Sequence, residues 1–481
     1  MGRKNKESII LNGVRIESVA AEGKAIAHVH IGDDDREGGS CGRVIFVEYA
    51  VPGDVVDILV TKKKKNYAEG RVIRIVEPSP DRQEAFCSHF GLCGGCKWQL
   101  LPYHLQLEAK RQQVYDQLVR IGHLDVPEVK PVIGSEQIRY YRNKLEFAAS
   151  NRRWILSDED EADIPAENRQ GLGFHVGRFF DKVLDISHCY LQKEPSNAIR
   201  LFIKNYALEH GIGFYDMREN RGLLRTVFVR TSEGGDVMVI VCFGDESDKI
   251  FPMLDALAEQ FPQISSLYYI VNRKCNDSIS DQTPLLYRGN DAIYETMEDL
   301  RFRIGPKSFY QTNASQALEL YRVARNFAGL SGTETVYDLY TGTGTIAQFV
   351  ARQAAKVIGI EYVPEAIEDA VLNASANGIT NCSFFAGDMK DILTSDFIAE
   401  HGRPDVMIVD PPRAGMHPDV VKTILEAAPE RIVYVSCNPA SQARDLQTLC
   451  TKYKITDVQP VDMFPHTIHV ENVCRLVKIE E

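Results

Sequence analysis

Short hydrophobic runs separated by turn residues fill the first part of the chain, from Leu11 to Val76. Val- and Ile-rich segments such as RVIFVEY and DVVDILV are broken by Gly, Asp and Pro-Gly, a pattern that is typical of strands joined by tight turns. Strands this short and this regular predict a small closed β-barrel that is OB-like, of the oligonucleotide-binding type. The stretch PSPDRQ, residues 78–83, follows it as a linker.

Helical and strand-like spacings are mixed in the middle of the chain. In YHLQLEAKRQQVYDQLVRIG, the apolar residues Leu107, Val114, Leu118 and Ile121 recur at helical spacing, which predicts an amphipathic helix that ends at Gly122. The strand-like runs IRYYRNKLEFAAS and GLGFHVGRFFDKVLDISHCYLQ come later. This mixture predicts an α+β central domain.

Strands alternate regularly with helices from about Arg301 onward. TVYDLY, KVIGIEYV, PDVMIVDPP and RIVYVSCNP are strand-like, and each leads to a helical pattern. This alternation is typical of a doubly wound α/β sheet with right-handed crossovers. The chain is therefore predicted to be multidomain, with domains at residues 8–78, 79–300 and 301–481.

Composition narrows the class of protein without naming a partner. The chain has 481 residues, with 44% hydrophobic and 25% charged residues, which is typical of a globular protein. Neither a membrane-spanning run nor a signal-peptide pattern is visible, so we expect a cytoplasmic protein with no membrane partner. The net charge of −12 does not exclude RNA, because a local basic face is sufficient for binding. Such a face is indicated by Lys62–Lys65, Tyr67, Arg71 and Arg74 on the barrel, although a solvated turn would have the same composition.

A glycine turn follows the first strand of the C-terminal domain, in DLYTGTGTIA. Asp338 ends the strand, and Gly342 and Gly344 leave room for a ligand. The turn matches neither the dinucleotide fingerprint nor a P-loop. Glu361 ends the next strand, where an acid can accept hydrogen bonds from ribose hydroxyls, and Asp388 follows the third strand. This arrangement without phosphate-binding residues suits S-adenosylmethionine better than NAD.

Two further strands end in residues that can take part in ligand binding or catalysis. Asp410 precedes two prolines that fix the backbone of the turn, although a purely structural turn remains open. Cys437 ends the next strand at the same sheet edge, and Ser441 can cap the helix that follows. A buried cysteine is most often an inert small hydrophobe, but its place at the edge where ligands bind favours a role in the reaction.

The eleven cysteines are unevenly distributed. Cys87, Cys93 and Cys96 lie within ten residues, in CSHFGLCGGC. An odd total in a chain without an export signal argues against a disulfide framework and favours metal binding or catalysis.

Seven motifs occur in the order found in one known family: CSHFGLCGGC, SHC, SFYQTN, DLYTGTG, DPPRAG, SCNP and FPHTIHVENV. With them the sequence resembles the bacterial uracil-C5 RNA methyltransferases, and specifically the iron–sulfur 23S rRNA enzymes with an N-terminal TRAM barrel. The resemblance covers nearly the whole chain. It implies a TRAM barrel, a central domain with a four-cysteine cluster site and a C-terminal class I S-adenosylmethionine-dependent methyltransferase domain.

The resemblance also implies roles for individual residues. Cys437 matches the family's nucleophile, which adds to C6 of uracil, and Glu471 matches the general base that removes the C5 proton. The cofactor contacts match Gln311, Tyr340, Glu361 and Asp410. Tyr340-Thr341 stands where many members have Phe-Cys, and Thr345 stands where some have Asn, so details of cofactor binding can differ. His466 and His469 are expected to be local hydrogen-bonding groups.

The same resemblance implies a metal-binding role for four cysteines and an RNA substrate. Cys189 joins Cys87, Cys93 and Cys96 as a fourth thiolate, and four thiolates suit a [4Fe–4S] cluster or zinc; the resemblance favours the cluster. The implied substrate is 23S rRNA, with Phe309 and Arg139–Lys144 as candidates for holding RNA, and the protein is expected to be a monomer. Two alternatives stay open: a tRNA uracil-C5 methyltransferase, whose family members generally lack the barrel and the four cysteines, and a non-catalytic iron–sulfur RNA-binding protein. The other cysteines are expected to have no special role: Cys41, Cys242, Cys275, Cys382, Cys450 and Cys474.

Overall fold

The computed structural model describes residues 9–20, 23–31, 42–177 and 179–480. Residues 8 and 481, which bound the predicted first and last domains, and Cys41 lie outside the described residues. Within these ranges the chain forms four β-sheets with helices packed on three of them.

The N-terminal strands form one sheet in the order β1-β5-β6-β4-β3-β2. The two edge strands, β1 and β2, follow each other directly in the chain. They lie at opposite edges of the sheet, where β1 pairs with β5 and β2 pairs with β3. The sheet therefore curls into the predicted barrel around a buried aliphatic core that includes Ile45, Val47 and Ile58. The strands are β1 (Ile10–Arg15), β2 (Ser18–Val19), β3 (Ala25–Val29), β4 (Arg43–Glu48), β5 (Val55–Lys63) and β6 (Tyr67–Glu77).

A second sheet forms the centre of the chain, in the order β13-β12-β11-β10-β7-β8-β9. Helices α2 and α3 pack on it, and its strands β10 and β11 are almost entirely buried. The elements are β7 (Lys144–Ser150), β8 (Gly171–His175), β9 (Val183–Leu184), α2 (Ser196–Glu209), β10 (Leu224–Thr231), β11 (Val237–Phe243), α3 (Ile250–Gln260), β12 (Ile264–Val271) and β13 (Leu285–Gly289).

The helix predicted before this sheet is α1 (Tyr103–Tyr115), continued by a π-helical turn over Asp116–Ile121 that ends at Gly122. The buried face agrees with the predicted one in part. Val114 and Leu118 are fully buried as predicted, whereas Ile121 is 63% exposed and the polar Gln106 and Lys110 are fully buried. The apolar spacing could not indicate these two polar residues, because their buried polar partners lie near the C-terminus.

The C-terminal sheet has the order β18-β17-β16-β19-β20-β22-β21. The first five strands are parallel, and β22 is antiparallel to both of its neighbours. This is the expected doubly wound sheet with an antiparallel end. The strands are β16 (Thr335–Leu339), β17 (Lys356–Glu361), β18 (Cys382–Ala386), β19 (Val406–Val409), β20 (Arg431–Ser436), β21 (Tyr453–Val461) and β22 (Glu471–Lys478).

Helices cover both faces of this sheet, and a separate hairpin of β14 (Ile293–Met297) and β15 (Leu300–Ile304) packs beside α4 and α6. One buried cluster joins this hairpin to α4 and the sheet, and another joins the opposite face to α1. The helices are α4 (Ala314–Ala328), α5 (Thr345–Ala351), α6 (Pro364–Ala376), α7 (Met389–Ile392), α8 (Ser395–His401), α9 (Pro418–Ala427) and α10 (Pro439–Leu449). Among the described residues, no helix has the length and apolar character needed to cross a bilayer.

Candidate active site

A large cleft of about 1440 Å³ lies between the carboxyl ends of the parallel strands and the central sheet. This is the edge at which doubly wound sheets bind ligands. All six residues predicted for catalysis or cofactor binding line it, namely Gln311, Tyr340, Glu361, Asp410, Cys437 and Glu471.

The glycine turn after β16 forms one wall of the cleft. Gly342 has φ 55°, and a Cβ added there would meet no atom within 4 Å, so its backbone faces open space. Gly344 caps α5 with φ 73°, and a Cβ would lie 2.9 Å from the Cβ of Ala370. The turn thus places bare backbone beside the cleft, as the binding of a flat ligand requires.

Glu361 holds this turn in place from the end of β17. Its carboxylate accepts hydrogen bonds from the backbone N–H groups of Gly342 and Val363, both at 3.1 Å. Asp388, which also lines the cleft, caps α7 by accepting a hydrogen bond from the backbone N–H of Lys390 at 3.2 Å.

Two aspartates lie close together at the cleft: Asp338 is fully buried, and Asp410 lines the cleft and is partly buried. Burial raises the pKa of Asp338 to about 7, and burial together with the nearby charge of Asp338 raises that of Asp410 to about 7. The hydroxyl of Thr341 donates a hydrogen bond to Asp338 at 2.5 Å. Two neighbouring carboxyl groups that are shielded from water repel each other when both are ionised. A ligand that carries a positive charge would relieve this repulsion.

Cys437 directly follows β20, and Glu471 is the first residue of β22. The last pair between these antiparallel strands joins Ser436 to Asn472, so continuation of the ladder by one position would bring Cys437 and Glu471 together. Asn438, and not Ser441, caps α10, because its side chain accepts from the N–H of Ala440 at 3.2 Å. The predicted cap was wrong: Ser441 lies inside the helix and donates to the carbonyl of Arg413.

The Cys437 thiol is only partly buried. Burial, followed by the negative charges of Glu471 and Asp410, raises its pKa to about 11, while Arg413 opposes this shift by charge and by a hydrogen bond. Glu471 is 5% exposed. Burial and then the charge of Asp410 raise its pKa to about 8, and Arg413 again lowers it.

Arg413 and His469 were not predicted as a pair. The guanidinium donates to Nδ1 of His469 at 2.6 Å, and burial followed by the charge of Arg413 lowers the pKa of His469 to about 4. His469 is therefore a neutral acceptor that orients Arg413 toward the Cys437 thiol. The sequence signal is the arginine that directly follows the two prolines in DPPRAG.

The side of the cleft formed by the central sheet is cationic. Arg142, Lys144 and Arg230 line it, and Lys144 in β7 lies directly opposite Arg230 in β10. Arg230 is 7% exposed, and burial lowers its pKa to about 10. Within the described parts of the chain, none of the three forms an ion pair with a carboxylate. Phe309, at the same cleft, is 66% exposed.

The four cysteines predicted as ligands line a second cavity of about 270 Å³. Burial, as the first cause, raises the pKa of Cys96 to about 11 and that of Cys189 to about 12, and neighbouring thiols of the set raise each further. In the described chain, no group of three or more His, Cys, Asp and Glu side chains is arranged to hold one metal ion.

Comparisons with known proteins agree with this geometry. The family described as tRNA (Uracil-5-)-methyltransferase matches residues 288–479, and the TRAM domain matches residues 13–73. A relative from Porphyromonas gingivalis, named uncharacterized RNA methyltransferase, is 56% identical over 476 residues, which are 97% of this chain and 100% of the relative. The chain belongs to the RNA (uracil-5) methyltransferase family. Enzymes of this family depend on S-adenosylmethionine. The N-terminal barrel of this chain corresponds to the TRAM domain.

Two further proteins are similar to this chain over nearly its full length. A Halalkalibacterium halodurans protein named uncharacterized RNA methyltransferase is 39% identical over 98% of this chain and 97% of its own. The solved structure of a Pyrococcus abyssi tRNA (uracil-54, C5)-methyltransferase with S-adenosyl-L-homocysteine is 29% identical, with a TM-score of 0.73, over 97% of this chain and 100% of its own. The class I methyltransferase fold predicted for the C-terminal domain is confirmed.

Proposed function

We propose that the enzyme methylates C5 of a specific uridine in 23S rRNA, with Cys437 as the nucleophile and Glu471 as the general base. The observation that carries the proposal is that both side chains line one cleft with the glycine turn, next to the last residue pair of β20 and β22. The family already limits the reaction to uracil C5 in RNA.

Covalent activation of the base explains the need for a thiol. C5 of uracil is too weak a nucleophile to accept a methyl group directly. The Cys437 thiolate adds to C6, and the electrons of the C5–C6 double bond move into an enolate. Bound S-adenosylmethionine would supply an electrophilic methyl group. C5 of the enolate would form the new carbon–carbon bond as the bond between the methyl group and the sulfonium sulfur breaks, which leaves S-adenosylhomocysteine.

A base then completes the reaction. The methylated adduct carries one proton at C5, and Glu471 takes it while the C6–S bond breaks and the C5–C6 double bond returns. A carboxylate whose pKa is raised to about 8 by burial is a far better proton acceptor than an exposed glutamate. The raised pKa of Glu471 therefore suits this step.

Arg413 supports the first step through charge. Burial raises the pKa of Cys437, which disfavours the reactive thiolate, and the guanidinium lowers it. When the thiolate forms, Arg413 gains an anionic partner, and His469 keeps the guanidinium directed at it.

Cofactor binding is assigned to four residues around the turn. We propose that Glu361 accepts from the ribose hydroxyls, while Gln311, Tyr340 and Asp410 contact the remainder of S-adenosylmethionine. Their fit rests on the open backbone at Gly342 and on the pair of neighbouring acids, which favours a cationic sulfonium.

RNA binding is assigned to the cationic side of the cleft. Arg142, Lys144 and Arg230 lack carboxylate partners in the described chain and would pair with phosphates, while exposed Phe309 can stack on a base. The target uridine must be flipped out of folded RNA to reach Cys437.

The choice of 23S rRNA rests on the family resemblance of the four-cysteine set. A tRNA uridine is the second candidate, and it is favoured by the full-length similarity to the Pyrococcus abyssi tRNA enzyme. Since that enzyme aligns over its whole chain, the presence of an N-terminal region does not separate the two substrates.

We assign a [4Fe–4S] cluster to Cys87, Cys93, Cys96 and Cys189. A cluster is larger than a single ion, so its thiolates stand around it at a distance. The four thiols line one cavity, as the ligands of a single group must. The choice of a cluster over zinc rests on the family resemblance. The cluster would supply charge and rigidity, since methyl transfer involves no net oxidation.

RNA containing 5-fluorouridine at the target site tests the mechanism. The fluorine cannot leave as a proton does, so the wild-type enzyme should remain covalently bound to the RNA in the presence of S-adenosylmethionine. The Cys437→Ala variant should form no adduct and no product, while cofactor binding measured by calorimetry stays largely intact. Normal turnover by this variant would refute the covalent route.

A further inference from the structure

Residues 462–470 join β21 to β22, and this connector ends immediately before Glu471. Phe464 and His469, in the same segment, line the active cleft. The position of the Glu471 carboxylate therefore depends on the path of the connector.

The middle of the connector lies against the cysteine-rich segment. The backbone N–H groups of Lys97 and Trp98, which follow Cys96, both donate to the carbonyl of His466, at 2.8 and 3.2 Å. Phe86, which precedes Cys87, packs its ring against the His466 ring with centroids 5.0 Å apart. Both ends of the cysteine-rich loop thus contact one residue of the connector.

His466 is held in an unfavourable backbone conformation. Its φ of 64° lies in the left-handed region, which is unfavourable for a residue with a Cβ, and it is 2% exposed. Its N–H donates to the Gln106 side-chain oxygen at 3.0 Å. The Gln106 amide in turn donates to the carbonyls of Trp98 and Leu101. Such a conformation persists only while its surroundings enforce it.

The parts of the connector on either side of His466 are held independently of the cysteines. Before it, Lys110 and Asp462 form a fully buried ion pair at 2.6 Å, and the Tyr141 hydroxyl donates to the carbonyl of Pro465 at 3.0 Å. After it, the Arg413 guanidinium donates to Nδ1 of His469 at 2.6 Å. His466 is therefore the point at which a change in the cysteine-rich loop can reach the catalytic strand.

We propose that occupancy of the four-cysteine site positions Glu471 through the hydrogen bonds of Lys97, Trp98 and Gln106 to the His466 backbone. This inference rests on the proposed function for the role of Glu471. Gln106 and His466 act as positioning residues, because neither lines the active cleft.

The chemistry predicts which step depends on this contact. If the cysteine-rich loop releases the His466 carbonyl, the carboxylate of Glu471 moves away from the C5 proton. Addition of Cys437 and methylation can still occur, but proton removal and release of the thiolate slow down. The methylated RNA–protein adduct should then accumulate on ordinary uridine RNA.

Gln106→Met tests the link, because methionine keeps the length of the side chain and removes its hydrogen bonds. We expect kcat to fall by about 10- to 100-fold, the scale of general-base catalysis. KM for RNA, iron content and S-adenosylmethionine affinity should stay unchanged, and the adduct should be visible on denaturing gels. Gln112→Met, on the exposed side of the same helix, is the matched control and should behave like wild type. Wild-type kcat in Gln106→Met, or a lower kcat without adduct, would overturn the proposal.

Hydrogen exchange on the wild-type protein supplies a second measurement that needs no variant and no turnover. Backbone amides of residues 462–470 should exchange faster after iron is removed by chelation, while those of β16 and β17 should not change. Equal exchange of the connector in the two states would refute the coupling. Failure of 5-fluorouridine RNA to trap the wild-type enzyme would instead refute the proposed function, and the exchange result would still decide the structural link.

Discussion

Burial in the active cleft makes Glu471 a carboxyl group that is easier to protonate in the folded enzyme than in the unfolded chain. Its pKa rises from an ordinary 4.5 to about 8, so the folded state binds its proton more tightly between these values. Stability from this group is present at low pH and is lost as the pH rises through this window. Glu471→Gln, which stays neutral, should therefore have the higher melting temperature near pH 9 and lose this advantage near pH 5.

Thermal unfolding across that pH range measures the effect. Glu426→Gln is the control, because Glu426 is an exposed glutamate on α9. A difference between Glu471→Gln and wild type that is constant with pH would contradict the prediction.

Arg413 controls the ionisation of both proposed catalytic groups. Its positive charge lowers the pKa values of Cys437 and Glu471 against the effect of burial. Arg413→Gln should therefore shift the rising limb of the kcat/KM profile to higher pH, since both groups must lose a proton to act. Arg413→Lys should shift it less. Arg403→Gln, which removes an arginine bound to carbonyls at the end of α9, should leave the limb in place; an unshifted limb in Arg413→Gln would be incompatible with this role.

The pairing of strands β7 and β10 places Lys144 and Arg230 side by side on the cleft. Like charges directly opposite each other destabilise a sheet, and a buried guanidinium without a carboxylate adds to the cost. An anion bound there would relieve this repulsion. Arg230→Gln should therefore weaken RNA binding and also raise the melting temperature.

Salt titration identifies that anion. Loss of one phosphate contact should reduce the slope of log Kd against log salt by about one. Arg273→Gln removes an exposed arginine that is paired with Asp245, and it should leave the slope unchanged. If Arg230→Gln lowers affinity equally at all salt concentrations, the phosphate assignment is wrong.

Elements whose residues contact sequence neighbours were predictable, and those that depend on distant polar partners were not. The strand and glycine turn at Asp338 to Gly344 follow from local patterns, and the structure places them as predicted. The burial of Gln106 and Lys110 on α1 was missed, because both have hydrogen-bond partners more than 350 positions away. No periodicity in the sequence carries that information.

The candidate site shows the same division. Cys437 and Glu471 were identified by family motifs, and their place next to the last residue pair of β20 and β22 required the antiparallel register of these strands. The cationic pair of Lys144 and Arg230 depends on the pairing of β7 with β10, which are about 80 residues apart in the chain. Only the folded sheet brings these charges together.

Contacts across the molecule link the barrel and the cysteine-rich segment to the proposed base, Glu471. The barrel contacts the cysteine-rich segment through Trp98, whose indole N–H donates to the carbonyl of Gly23 at 3.3 Å. The backbone of Trp98 then reaches the connector before Glu471. RNA held by the barrel and the central sheet would thus lie on the same structural unit that carries the catalytic groups.

The substrate is decided at this largest scale, because the target uridine is selected by all RNA-facing surfaces together. We expect cells that lack the gene to lose 5-methyluridine at one or more positions of 23S rRNA, while tRNA keeps its 5-methyluridine. Mass spectrometry of purified rRNA and tRNA measures both, and complementation with wild type should restore the modification while Cys437→Ala should not. Loss confined to tRNA would instead establish the second candidate, which the Pyrococcus abyssi similarity supports. The catalytic proposal would survive that outcome, because the thiol and the carboxylate act on the uracil ring whichever RNA presents it.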